Sequence, residues 1–122
     1  MPDPARRRAE QRGHWSESFA ALLLRLNLYR ILARRVKTHA GEIDLVALSL
    51  SGLVCIIEVK ARRETRLAAE AVGDQQKARL ARAASLYLAS QPHLAGRGLR
   101  FDIVAVTPRG WPRHFRDVWR PD

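Results

Sequence analysis

The run Leu53-Val54-Cys55-Ile56-Ile57-Glu58-Val59-Lys60 is apolar on both faces of a strand until its last residues. Side chains alternate faces along a strand. Val54, Ile56, Glu58 and Lys60 therefore share one face, and Leu53, Cys55, Ile57 and Val59 share the other. A strand apolar on both faces belongs inside a sheet that is covered on both sides. Glu58 and Lys60 emerge together at its C-terminal end. The preceding strand, over residues 42–49, carries Asp44 on the face of Val46 and Leu48. A carboxylate there is costly unless it is paired, hydrogen-bonded or bound to a metal.

The flanking segments supply the covering layers. Trp15, Phe19, Leu22, Leu23 and Leu26 recur at helical spacing without Gly or Pro, which predicts a helix over residues 15–28. Strands are expected over 29–37, 42–49 and 53–60, the last two joined around Ser51-Gly52. A charged connection over 61–67 leads to a helix over 68–90, broken or restarted near Gly73-Asp74, with Gln76, Leu80, Ala83, Ala84, Tyr87 and Leu88 as its inner stripe. A loop with Pro92, Gly96 and Gly98 precedes strands over 99–107 and 113–119. The order αβββαββ gives an α/β fold, a mixed β-sheet flanked by helices. The 122 residues suit one domain, over 13–122, behind a flexible basic arm over 1–12.

The register between the two acid-bearing strands decides whether Asp44 and Glu58 meet. A two-residue turn at Ser51-Gly52 pairs Asp44 with Val59 and puts the two acids on opposite faces. A three-residue turn, Leu50-Ser51-Gly52, pairs Asp44 with Glu58 and sets Gly52 where such turns need a left-handed residue. Like charges directly opposite destabilise a sheet, and a divalent cation between them reverses that sign. The three-residue turn, or an equivalent bulge, is the prediction.

Charge points to the partner. The 22 basic residues exceed the 12 acidic ones and leave a net charge of +10; only Lys37, Lys60 and Lys77 among the basic residues are not Arg. Arg suits phosphate through its planar fork, so an anionic partner, most economically nucleic acid, is expected. The excess is uneven. Residues 30–37 carry +4 through Arg30, Arg34, Arg35 and Lys37, and residues 38–60 carry −2. Arg62, Arg63 and Arg66 follow on the other side. These clusters are either solvated surface charge or phosphate contacts, the latter independent of sequence and sensitive to salt. Cys55 stands alone, which excludes a disulfide framework or zinc cluster. No apolar run reaches about 18 residues, so no membrane span is expected. The N-terminus lacks a secretory pattern, and a cytoplasmic location follows as the expectation.

Asp44 followed by Glu58-Val59-Lys60 resembles the pattern of the PD-(D/E)xK nucleases. Glu17, Gly41-Glu42-Ile43-Asp44-Leu45, Ile57-Glu58-Val59-Lys60-Ala61-Arg62, the Lys77 helix and Arg100-Phe101-Asp102-Ile103-Val104 occur in order. Together, over roughly residues 13–120, they resemble the YraN-like family of small uncharacterised bacterial proteins, which are similar in fold to Holliday-junction resolvases and restriction endonucleases. Ser16 stands where that family usually has Gly, and Arg35 where an Asn is common. The resemblance implies a restriction-endonuclease-like fold and a metal-dependent endonuclease, selective for branched or single-stranded structure rather than for sequence. It implies Mg²⁺ or Mn²⁺ on Asp44, Glu58 and the Val59 carbonyl. Lys60 would orient a water or balance developing charge, and Glu17 and Glu42 would supply outer acids or a second metal.

Plain alternatives stand beside each role. Glu58 with Lys60 is also the pattern of a solvated ion pair, Glu17 that of a helix-first-turn acid favoured by the dipole, Glu42 reads first as a strand-edge surface charge, and Lys77 fits an exposed helix lysine. Gln75 and Gln76 are either ordinary polar residues at a helix start or the Gln that nucleases of this fold often place there. Asp102 reads first as a structural hydrogen-bonding group. His14, His39, His93 and His114 lack ligand spacing, and Trp111, Phe115 and Trp119 read as packing, although Phe115 or Trp119 on a last edge strand would suit a homodimer that cuts twice. The functional alternative is a non-catalytic nucleic-acid-binding protein on a nuclease fold. A purely structural basic protein has no need of the acids.

Overall fold

The structure is a computed structural model and describes residues 4–61, 73–108 and 110–120, with side chains from Trp15 onward. Helix α1 spans Pro4–Leu26 and helix α2 spans Asp74–Ala89. The strands are β1 (Arg30–Thr38), β2 (Gly41–Leu48), β3 (Val54–Ala61), β4 (Leu99–Val106) and β5 (Arg113–Trp119). The expected helical start over 68–72 and Arg62, Arg63 and Arg66 lie outside the described residues.

The sheet follows chain order, β1-β2-β3-β4-β5, which puts the doubly apolar strand β3 at its centre. β3 runs antiparallel to β2 and parallel to β4, so the sheet is mixed. Val54 through Ile57 are all buried, as a strand covered on both faces must be. On one face Ala20, Ala21 and Leu24 of α1 pack with Leu45, Ala47, Cys55, Ile57 and Val104. On the other, Leu80, Ala83, Ala84 and Tyr87 of α2 pack with Ile43, Val46, Val54, Ile56 and Phe101. The α/β class and the element order are as expected.

Two features of α1 differ from the sequence reading. The helix begins at Pro4 rather than Trp15, so residues 4–12, read as a flexible basic arm, are its first turns. Pro at a first helical position and the strong formers from Ala5 to Arg12 account for this. Helical spacing also does not reveal which side is buried. The inner side is Ser16, Glu17, Ala20, Ala21 and Leu24, while Trp15, Phe19, Leu22 and Leu26 are exposed. Small residues let the helix lie close to the sheet, and Glu17 must face inward to meet its partners on β1.

Asp102 is structural. Its buried carboxylate accepts two hydrogen bonds from Arg100, at 2.9 and 2.7 Å, and one from the Asp117 backbone N–H at 2.9 Å. His114 Nε2 lies 2.7 Å from the same group. Asp117 reaches it because its backbone is left-handed, φ 53°, opposite an irregularity in the β4–β5 register between Phe101 and Ile103. Trp119 stacks on Phe101 with ring centroids 4.3 Å apart, so its ring is engaged in packing. No described helix is long and apolar enough to cross a membrane.

Candidate active site

The β2–β3 connection sets the site. The register runs from Leu48↔Val54 to Leu45↔Ile57, and its next step places Asp44 opposite Glu58. The loop between Ser49 and Leu53 is the three-residue turn Leu50-Ser51-Gly52, closed by a 2.9 Å bond from Ser49 N–H to the Leu53 carbonyl. Gly52 has φ 93°, in the left-handed region, as that turn requires.

The two carboxyl groups are close enough that each bears on the other's protonation. Burial, then the charge of Glu58, push the Asp44 carboxyl up from 3.8 to about 7; the charges of Glu17 and Glu42 add to this. The one opposing contact is the Val59 backbone N–H, which donates to Asp44 Oδ2 at 2.8 Å. Glu58 is also raised by burial, against the lowering effect of Lys60. Lys60 Nζ stands 3.4 Å from Glu58 Oε1, and both side chains are 13% exposed. This is no solvated ion pair, because most of each group is withdrawn from water. Gln76 of α2 donates to the same Glu58 oxygen at 3.1 Å. Gln76 signals itself in the sequence as a polar residue on an otherwise apolar inner stripe. A narrow cleft of about 110 Å³ opens here between Gly41, Glu42, Glu58, Gln76 and Arg79.

Glu17 lies mid-helix, not in a first turn, so the dipole does not explain it. Its carboxylate is gripped by Arg35 Nε at 3.1 Å and Arg34 Nε at 3.4 Å. Neighbouring strand residues point to opposite faces, yet both arginines reach the same acid. Arg35 has φ 50°, a left-handed backbone that breaks the alternation. Asn tolerates that conformation better than Arg, which gives a physical reason for an Asn there.

The other expected contacts scatter. Arg34 and Arg35 are engaged with Glu17. Arg30 pairs with Leu48 at the hairpin end, four residues or about 13 Å along the strand from Asp44. Lys77 is half-buried, one residue past Gln76. Arg62 and Arg63 lie outside the described residues. Among the described residues no three His, Cys, Asp or Glu side chains gather as a metal-binding group, so Asp44 and Glu58 stand as a pair. Sequence reasoning missed Arg79, which reaches the cleft only because the β1–β2 turn folds against α2.

The model of the uncharacterised protein family UPF0102 matches residues 16–106. A UPF0102 protein of Parvibaculum lavamentivorans is 54% identical over 106 residues, covering 87% of this chain and 79% of that one. The UPF0102 protein Atu0303 of Agrobacterium fabrum is 50% identical over 114 residues, covering 93% of each chain. The structure of Pyrococcus furiosus SfsA in complex with Ca²⁺ aligns over 84% of this chain and 60% of that one at 14% identity, with a TM-score of 0.27, too low to bear on fold or chemistry.

Proposed function

We propose that this chain, which belongs to the uncharacterised UPF0102 family, is a divalent-metal-dependent endonuclease that hydrolyses phosphodiester bonds in DNA. The observation that carries this reading is the juxtaposition of two largely buried carboxyl groups, Asp44 and Glu58, with Lys60 beside Glu58 and Glu58 lining a cleft. A protein that only binds phosphate gains nothing from buried like charges, which cost stability. A perturbed acid pair beside a cleft is the signature of a candidate functional site.

The donor set fits Mg²⁺ or Mn²⁺. Both carboxylates offer hard oxygen ligands, and Mg²⁺ is commonly held by one or two carboxylates with waters completing its shell. When bound, such an ion polarises a phosphate and lowers the pKa of its water. Asp44 and Glu58 would hold it, with the Val59 main chain fixing Asp44 in place. Gln76 fixes one oxygen of Glu58 and leaves the other for the ion. Lys60 carries its ammonium where a water can be oriented or phosphate charge balanced. Glu17, held by Arg34 and Arg35, would act through its charge, which bears on Asp44.

The test incubates the purified chain with branched, nicked, single-stranded and linear DNA in Mg²⁺, Mn²⁺ or EDTA, beside Asp44→Asn and Lys60→Ala. Metal-dependent cleavage that both substitutions abolish is expected. Cleavage that survives both would belong to a contaminant. Binding by all three proteins with no cleavage would establish instead a nucleic-acid-binding protein on a nuclease fold.

A further inference from the structure

We propose that the acid cleft continues across the outer side of α2 as a track for one nucleic-acid strand, with Arg79 and Arg82 as its phosphate contacts. The proposal rests on the nuclease reading only in placing the scissile phosphate at Asp44 and Glu58.

Arg79 is the joint between two surfaces. It lines the acid cleft with Glu42, Glu58 and Gln76. It also lines an adjoining shallow groove of about 650 Å³ with His39, Ala40, Arg82 and Leu86. Gln76, Arg79 and Arg82 follow one another at three-residue spacing, so each neighbours the next, and the row winds from the inner stripe toward the outer side of the helix, advancing about 4.5 Å per step. The β1–β2 turn builds the other wall. Its Gly41 has φ 142°, and a Cβ added there would meet the Arg79 stem at 3.7 Å. The acid cleft and the outer groove therefore adjoin at the Arg79 side chain, which lines both.

The charges on this path are available. Arg34 and Arg35 are held by Glu17, Lys60 by Glu58, Arg100 by Asp102 and Arg120 by Asp117. Among the described residues Arg79 and Arg82 form no ion pair, and both are exposed. The groove sets these two guanidinium groups around an apolar floor that includes Ala40 and the 44% exposed Leu86. Basic walls and an apolar floor suit a sugar–phosphate strand with unpaired bases, since Arg planes bind phosphate and stack on bases. The inner cleft of about 110 Å³ equals the volume of only a few waters, enough for a phosphate group but not for a base pair. A duplex would bring a rigid cylinder to this surface, whereas a single strand or frayed end can enter.

Binding is measured by fluorescence anisotropy in EDTA, so that no cleavage intervenes, with a labelled single-stranded oligonucleotide and its duplex. Arg79→Ala/Arg82→Ala is compared with Arg25→Ala/Arg116→Ala, which removes equal charge from exposed sites on α1 and β5. The native protein should prefer the single strand. The groove variant should weaken that binding about tenfold or more, and lower the slope of log K against log salt by about 1.4, the share of two single-strand phosphate contacts. The control variant should change affinity by less than about threefold. Equal losses in the two variants would reduce the track to net charge and overturn it. Duplex bound as tightly as single strand would overturn it too. Cleavage in Mg²⁺ is scored separately: binding through Arg79 and Arg82 without cleavage would leave the track standing and sink the nuclease.

Discussion

Asp44 and Asp102 are both withdrawn from water, and their surroundings drive them in opposite directions. Burial works to raise Asp102, but hydrogen bonds from His114, Arg100 and the Asp117 N–H outweigh it and hold the carboxyl below its usual range. Asp44 has a single N–H donor and a neighbouring acid, and rises to about 7. The sign of each pH effect follows. The folded protein holds a proton on Asp44 more tightly than the unfolded chain does. The associated stability is fully present below pH 3.8 and is lost as pH rises through about 7. Asp44→Asn keeps an acceptor for Val59 N–H and removes the charge. At pH 8 it should melt above the native protein, by about 2 kcal/mol or roughly 10 °C, and at pH 4 the two should coincide. Equal melting at pH 8 would show that the pair carries no strain of charge. Asp102 gives the reverse: its contribution is present above the usual carboxylate range and fails as pH falls through its depressed folded value. Asp102→Ala leaves Arg100 without its buried counterion and should cost about 3 kcal/mol or more in denaturant unfolding.

At the scale of elements, the β2–β3 hairpin is where local chemistry sets the site. A two-residue turn would shift the register by one residue and move Asp44 to the other face from Glu58. Gly52 holds the three-residue form with φ 93°, and a Cβ there would approach an Arg97 guanidinium nitrogen at 3.0 Å. Gly52→Ala should therefore cost about 1 kcal/mol in urea unfolding. Any loss of metal-dependent cleavage should exceed what unfolding explains, because the acids move with the turn. These features were legible because strands alternate with period two and a left-handed turn position favours Gly. The boundaries of β3 and β5 lie within a residue of expectation for the same reason. The inner face of α1 was not legible. Its largest apolar residues, Trp15, Phe19, Leu22 and Leu26, satisfy helical spacing but face outward, because close approach of Ala20 and Ala21 and the pairing of Glu17 decide the orientation. The grip of Arg34 and Arg35 on one acid was hidden too, since it depends on a positive φ at an arginine. Both are tertiary facts that override a local pattern.

For the whole molecule, net charge and local charge act against each other. The chain carries +10, which attracts a phosphate backbone at long range. Asp44 and Glu58 sit where the scissile phosphate would arrive and repel it unless a cation lies between. Binding should therefore depend on metal in opposite ways for the native protein and for Asp44→Asn. In EDTA at pH 8 and low salt, Asp44 is ionised and the native protein should bind single-stranded DNA more weakly than Asp44→Asn, by about threefold to tenfold. Ca²⁺ supplies a hard cation for oxygen ligands, and with it the order should reverse, since the variant has lost a ligand. At pH 6 the EDTA difference should shrink, because Asp44 takes up a proton below about 7. Anisotropy titrations under these three conditions read the crossing directly. A constant ratio between native protein and variant would mean that phosphate does not approach Asp44, and would place bound nucleic acid away from the acid pair.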